Sequence, residues 1–295
     1  IHERRDVDQE RQRLRVLGLV EKSFGVRIRK DIAVVDHGSP PKVTATLPET
    51  TPTKKGRHWV WRHARISFRF RHRIDPDMIS KQDVLQAFNF RHACKTFDPE
   101  RTIPESDFRY ILECARLSPS SFGYEPWRFV VVQDRALRDK LRAVSWGAQG
   151  QFPTASHVIA ILARKDDMLP GSDYTEYMMH DIQHMSEEGI ARRYQLYPQF
   201  FEKDFRIDTP RALFDWSVHQ AYIALANMMT AAALIRIDSC PVEGFNRVDA
   251  EAVLADAGLL ENGRFGLAVM VSFGYRVNPP RKKTRQPMEE VVRWV

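Results

Sequence analysis

The chain has 295 residues, 43% apolar and 28% charged, the balance of a folded globular protein. Its formal charge of +7 sits at one end: residues 1–77 hold 18 Lys and Arg against 10 Asp and Glu, while residues 78–295 hold 27 against 28. The larger part is near neutral, so it has no evident need of a polyanionic partner, and no apolar run is long enough to cross a bilayer.

Residues 1–77 carry little fold signal. Gln12–Val20 spaces Leu14, Leu17 and Leu19 without a clean cap. Residues 38–56 are rich in Pro, Thr and Ser and read as a linker. Residues 57–73 alternate basic with apolar or aromatic side chains. That pattern fits a basic strand or a nucleic-acid-binding arm. The competing reading is a basic, disordered or non-native extension upstream of Met78. The expected organisation is therefore such an extension over 1–77 and a folded domain over 78–295.

From Met78 onward the signals are regular. Asp83–Phe90 has helical apolar spacing. Thr102-Ile-Pro-Glu105 matches a capping box with Pro in the first turn, and Phe108, Ile111, Leu112 and Ala115 make one apolar helix face. Arg128–Val132, Val158–Ala163 and Phe265–Phe273 are short apolar runs, read as buried strands. Tyr222–Ile235 is almost uncharged and reads as a central helix. Met288–Val295 is a terminal strand or arm. The order of elements predicts an α+β fold with a small sheet.

Several chemistries are excluded. There is no GxGxxG after a strand, no GxxxxGK[ST], no HExxH and no GxSxG. His180 and His184 are four apart but lack a third ligand at readable spacing, so no metal is expected. The three cysteines (Cys94, Cys114 and Cys240) form no CxxC, and a cytoplasmic, reducing setting is expected.

Four segments supply groups suited to an anionic, planar ligand. Arg91-His92-Ala93-Cys94-Lys95 ends the first helix with cations that suit a phosphate, or that simply complement the helix dipole. Residues 117–127 (LSPSSFGYEPW) form a loop of small and hydroxyl residues, with Trp127 assigned to the core. Residues 240–245 (CPVEGF) follow the uncharged helix. Residues 280–285 (PRKKTR) are basic, which also fits a solvated tail.

Together, in this order and at these separations, they resemble the nitroreductase family over roughly 78–295. The carrying segments are RHACKTFDP (91–99), LSPSSFGYEPWRFVVV (117–132), QAYIALANMMTAAALIRIDSCPVEGF (220–245) and RKKTRQPMEEVV (281–292). The resemblance implies a dimeric α+β fold, a small mostly antiparallel sheet flanked by helices. It implies FMN as cofactor and NADH or NADPH as co-substrate. Hydride then passes through flavin N5 to a nitroaromatic or quinone acceptor in a ping-pong scheme, with no catalytic side chain required.

By the same resemblance, Arg91, Lys283 and Arg285 contact the FMN phosphate and ribityl chain, with His92 and Ala93 beside them. Ala93 stands where Ser is commoner. Lys95 matches a lysine at the N1/C2=O edge of the ring, where a cation stabilises developing negative charge. Ser120 and Ser121 match contacts that reach the partner subunit's flavin. Gly123 and Glu125 replace the Asn and Gln of other branches. Gln149 and Gln151 fall near the pyrimidine edge. Pro241, Val242, Glu243 and Gly244 match the strip whose backbone touches N5 and O4. Phe200 and Phe201, within the aromatic stretch Asp173–Phe214, are expected as substrate-pocket walls. Alternatives are a specialised flavin reductase, dehalogenase or enoate-type reductase of the same fold, or a reductase tethered by its basic arm.

Overall fold

A computed structural model describes residues 79–295 and two short strands upstream; the other readings made for residues 1–78 lie outside the described residues. The chain divides into two compact units, Ile1–Met78 and Ile79–Val295. In the first, β1 (Leu47–Pro48) pairs antiparallel with β2 (Trp61–Arg62).

The second unit is built on a four-stranded antiparallel sheet of β3 (Trp127–Val131), β4 (His157–Arg164), β5 (Asp238–Val242) and β6 (Phe265–Gly274), in the order β3-β4-β6-β5. An antiparallel sheet usually leaves one face wet. Here helices cover both, so β4 and β6 lack polar alternation. Ile159, Ile161 and Ala163 face one core while Val158, Ala160 and Leu162 face the other. Between Ile161 and Leu162 the register slips: Ile161 pairs with Val269, but Leu162 pairs with Leu267. Ala268 is thus the extra residue of a β-bulge. The faces of β6 exchange there, with Phe265 and Leu267 on one side and Val269, Val271 and Phe273 continuing on the other.

Helix α1 (Lys81–Phe90) starts in a capping box. Ser80 Oγ accepts from the Asp83 N–H at 3.1 Å, and an Asp83 carboxylate oxygen accepts from the Ser80 N–H at 3.3 Å. The box expected at Thr102 is not made. Helix α2 (Glu105–Arg116) has Pro104 at its N-cap and no side-chain cap. Its start relies on the proline geometry and on Glu105 and Asp107 at the positive end of the dipole. The expected apolar face is present, with Phe108, Ile111 and Ala115 buried.

Helices α3 (Arg135–Ala143) and α4 (Gln151–Thr154) cover one sheet face with a later helix, α8 (Arg247–Asp256). Residues 166–209 form a helical excursion. It contains α5 (Asp173–Tyr177), a π-helical turn at Met178–Ile182, α6 (Glu187–Tyr197) and a second π-helical turn at Pro198–Asp204. Its own core gathers Met168, Met178, Met179, Tyr197 and Phe201 against Tyr124 and Trp216.

The uncharged segment is the second half of α7 (Pro210–Leu234), a 25-residue helix capped by Thr209, whose Oγ1 accepts from the Ala212 N–H. It packs along α2 and the sheet through Ala221, Ala224, Leu225, Met228 and Ala232. The C-terminal stretch forms a short helix, α9 (Met288–Val291), and then runs exposed to Val295. Among the described residues no helix is long and apolar enough to cross a membrane.

Candidate functional site

A cleft of about 350 Å³ opens where β5 ends. Pro241, Val242, Glu243 and Gly244 line it on one side, with Trp146 and Gly147 also lining it. Leu225 and Met229 of α7 and Val269 of β6 supply its apolar surface, and Lys95 its cation. The two loops meet backbone to backbone. The Gly147 N–H donates to the Gly244 carbonyl at 2.7 Å. A Cβ on Gly244 would lie 2.9 Å from Gly147 Cα and from Trp146 Cε2. The close approach read from Gly244 is thus made to Gly147 and Trp146. Trp146 is 81% exposed, unusual for an indole in a folded domain.

Tyr222 completes the cleft, its hydroxyl donating to the Glu243 carboxylate. Burial, reinforced by that carboxylate, raises the phenol's pKa well above its ordinary value, so it remains a donor.

Lys95 arrives because residues 93–94 lie along β5. Ala93 bridges in parallel to Ser239, and the Cys94 N–H donates to the Ser239 carbonyl at 3.2 Å. Lys95 Nζ then stands 3.5 Å from Cys240 Sγ. Gln151 is buried; its Nε2 donates to the Gly147 carbonyl at 2.7 Å and to Cys240 Sγ at 3.4 Å. Gln149 Nε2 donates to the Arg142 and Ser145 carbonyls, both at 2.8 Å. Both glutamine amides thus hold the protein's own turns.

A second feature adjoins the end of α1. Lys283 Nζ donates to the Phe88 carbonyl at 2.5 Å and the Arg91 carbonyl at 2.7 Å, capping the helix C-terminus. Burial lowers the Lys283 pKa, and the nearby charges of Arg91 and Arg285 lower it further. Three cations therefore share one neighbourhood, and none has a carboxylate partner among the described residues. Arg285 Nη1 reaches only the Thr284 carbonyl beside it. His92 differs, with Nδ1 3.5 Å from Asp238 Oδ1. Burial and the Arg276 charge depress its pKa against the pull of that carboxylate. Arg276 Nη2 sits 2.5 Å from the same oxygen, so Asp238 is already paired.

The 117–127 loop faces other tasks. Phe122, Gly123 and Glu125 have φ of 56°, 67° and 46°. Side chains hold this strained path. Ser120 Oγ accepts from the Glu125 N–H at 2.8 Å, and the Ser121 N–H donates to Gln220 Oε1 at 2.8 Å. Gln183 Nε2 donates to the carbonyls of Phe122 (3.0 Å) and Gly123 (2.9 Å), and the Tyr174 hydroxyl to those of Tyr124 and Glu125. Gly123 suits this position, since its φ is left-handed and a Cβ would lie 3.1 Å from Gln183 Nε2 and press on the amide that holds the loop. Burial raises the Glu125 pKa, opposed by Arg116. Phe200 and Phe201 pack on Phe122, with centroids 4.9 and 6.4 Å away, and on Trp216. Neither they nor Ser120 and Ser121 line this cleft.

The structure brings Lys95 and the strip 241–244 together at one cleft. Trp146, Gly147 and Tyr222, which also line the cleft, carry no site role in the sequence reading.

This fold and site have relatives. The description "Nitroreductase family" matches residues 89–275. YfkO of Bacillus subtilis, provisionally named an NAD(P)H nitroreductase, is 50% identical over 217 residues, spanning 73% of this chain and 98% of that protein. SSP0379 of Staphylococcus saprophyticus, with the same provisional name, is 50% identical over 216 residues, 73% of this chain and 98% of its own. Among solved structures, a nitroreductase-like protein of Streptococcus mutans superposes with a TM-score of 0.59 at 20% identity, over 73% of this chain and all of that one. A structure from Exiguobacterium sibiricum, titled as a nitroreductase in complex with FMN, gives 0.56 at 21% identity, over 74% and 98%. The antiparallel sheet buried on both faces, the long helix with its uncharged second half and half-identity to whole relatives lead to one conclusion: the chain belongs to the nitroreductase family.

Proposed function

We propose that the protein is an FMN-dependent NAD(P)H oxidoreductase that reduces nitroaromatic or quinone acceptors. The carrying observation is the pairing of an apolar, backbone-walled cleft holding one lysine with a cluster of three cations lacking carboxylates. That pairing fits a ligand with a flat ring and a phosphate. Mutually repelling cations are costly to assemble unless an anion joins them. The NAD(P)H nitroreductase names of relatives at 50% identity, and the FMN complex titled for the Exiguobacterium structure, support the same reading.

When bound, FMN supplies hydride acceptance from the nicotinamide and electron delivery to the acceptor. The chain's own residues bind and orient it. Arg91 and Arg285 serve the phosphate, with Lys283 fixing the Arg91 turn and His92 and Ala93 alongside. Lys95 places positive charge where the cleft must tolerate negative charge. Pro241 to Gly244 present backbone to the ring, held in place by the Gly147–Gly244 bond and the Tyr222–Glu243 pair. Gln149 and Gln151 act indirectly, by rigidifying the 145–151 turn.

The proposed working unit is a homodimer. Leu85 and Phe88 on α1, and Met288, Val291 and Trp294 at the C-terminus, are exposed apolar side chains that a second copy would cover. In that assembly Ser120 and Ser121 serve the partner's flavin, and the excursion around Phe200 and Phe201 walls the substrate side. Residues 1–77 are not needed for this chemistry, and the free thiols fit the reducing cytosol.

The test is the purified full-length protein. It is expected to be yellow, to release FMN on denaturation, and to oxidise NADH or NADPH only when a quinone or nitroaromatic is added. A colourless protein that takes up no added FMN overturns the reading.

A further inference from the structure

Cys240 is fully buried, and its sulfur has three hydrogen-bond partners. Lys95 Nζ donates to Sγ at 3.5 Å, and Gln151 Nε2 donates to it at 3.4 Å. The thiol itself points to the Pro241 carbonyl, with Sγ 3.5 Å from that oxygen. A thiol has one weak donor and weak acceptor capacity, and all of it is engaged here. The three partners are not random neighbours. Lys95 and Pro241 both line the cleft, and Gln151 also grips the carbonyl of Gly147, a third lining residue.

We infer that Cys240 is a positioning residue that tethers the Lys95 ammonium to the cleft, acting with Gln151 through the sulfur. The need for a tether follows from the side chain itself. Lysine is a compact charge on a flexible four-carbon stem, and an exposed one spreads over many rotamers at a cost of about 2 kcal/mol to hold still. Lys95 is exposed and has no carboxylate partner among the described residues. A carboxylate would hold the ammonium more strongly but would cancel its field. A neutral sulfur holds it without cancelling its charge. The strand geometry makes this possible. Cys240 pairs with Ser272 in the β5–β6 ladder, so the sulfur's position is set by backbone hydrogen bonds and not by a loop.

The inference rests on the FMN reading for its consequence and on the apoprotein for its geometry, so both are measured. The first readout is the midpoint potential of FMN bound to the purified holoprotein. The second is the rate at which Lys95 is acetylated by an amine-reactive ester, read by peptide mass mapping, which requires no flavin. Three variants are compared: Cys240→Val, Cys240→Ala and Cys240→Ser. Alanine stands in if valine overpacks the buried position. Removing the sulfur is expected to weaken the preference for reduced FMN about tenfold, a fall of about 30 mV for a two-electron couple. Lys95 acetylation should speed up severalfold. Serine keeps a donor and an acceptor and should stay near wild type in both.

Unchanged potential and unchanged Lys95 labelling in the valine or alanine variant overturn the inference. So does a serine variant as perturbed as valine, which would make Cys240 a packing residue. A wild type that binds no FMN defeats the functional reading, and the labelling rates then still decide the tether.

Discussion

The sheet sandwich and the excursion over residues 166–209 bury their side chains in different ways. In the sandwich, neighbouring residues of β4 point to opposite cores, and the side chains from Val158 to Ala163 are wholly buried. The ladder satisfies the backbone, so the core is aliphatic and periodic. The excursion contains no strand. Its backbone passes through two π-helical turns and through left-handed φ at His184 and Arg206. Its core is aromatic and methionine-rich, and side chains such as Gln183 and Tyr174 satisfy the backbone of the adjoining loop. A ladder ties each residue to two neighbours. The excursion depends on a few individual contacts, which makes it the part that opens first.

The largest expected effect separates the two regions directly. Ile161→Ala should cost about 2–5 kcal/mol and Phe201→Ala about 3–5 kcal/mol of local packing. In hydrogen-exchange mass spectrometry, Phe201→Ala should speed exchange mainly over 166–209, while Ile161→Ala speeds it throughout 79–295. Equal acceleration everywhere by both would show a single cooperative unit.

Next comes pH. His157 on β4 stacks on Phe108 with centroids 3.8 Å apart, and burial, with help from Arg138, depresses its pKa from 6.5 to about 4. Its neutral form is the one that fits the fold. The stabilisation is complete above pH 6.5 and is lost as pH falls from there through about 4, roughly 2 kcal/mol after allowing for partial solvent screening. Urea titrations at pH 7 and pH 4.5 should show that loss, and His157→Gln should reduce it. A variant with the same pH slope would assign the loss elsewhere.

The phosphate contacts are comparable in size. Arg91→Ala and Arg285→Ala should each weaken FMN binding by about 1.5–3 kcal/mol, or roughly 10–150-fold. Full flavin occupancy in both purified variants would move the phosphate elsewhere. The smallest effect sharpens the junction between the regions. Thr209 caps α7 where the excursion hands over to the sandwich, and Thr209→Ala should cost about 1 kcal/mol in thermal unfolding. No change in Tm would mean that the excursion, and not the cap, fixes the start of the helix.

The same contrast explains what could be read from the residues alone. β3, β4, β6 and the uncharged half of α7 were legible because burial on both sides leaves a continuous apolar run. β5 was not, since Asp238-Ser-Cys-Pro-Val242 mixes polar residues with a proline, which only an edge strand tolerates. Thr102 showed the spacing of a capping box without the geometry, while Ser80 and Asp83, which have it, went unread. Family resemblance singled out Lys95 and the strip 241–244, which the structure brings to one cleft. Lys283 was read as a phosphate ligand, yet both its hydrogen bonds go to helix carbonyls, a partner no spacing rule reveals. Cys240 was read only as a free thiol opening the 240–245 segment, because a neutral sulfur leaves no charge pattern in a sequence.

The extra residue at Ala268 acts as a phase inverter. Upstream of it, odd-numbered residues of β6 belong to the core beneath α3 and α8; downstream, odd-numbered residues belong to the core beneath α7. Val269, the first residue after the inversion, is the one that lines the cleft beside Leu225 and Met229. If the same strand paired flush here, with Ala268 opposite Ile161, Val269 would turn away and the next side chain, Met270, would face the cleft. Register at this point therefore matters more than identity. A small replacement for Ala268 leaves the two phases in place, and even its deletion would keep Val269 opposite Ile161; a slip of the intact strand is what would transpose the two hydrophobic cores and resurface the cleft in one step.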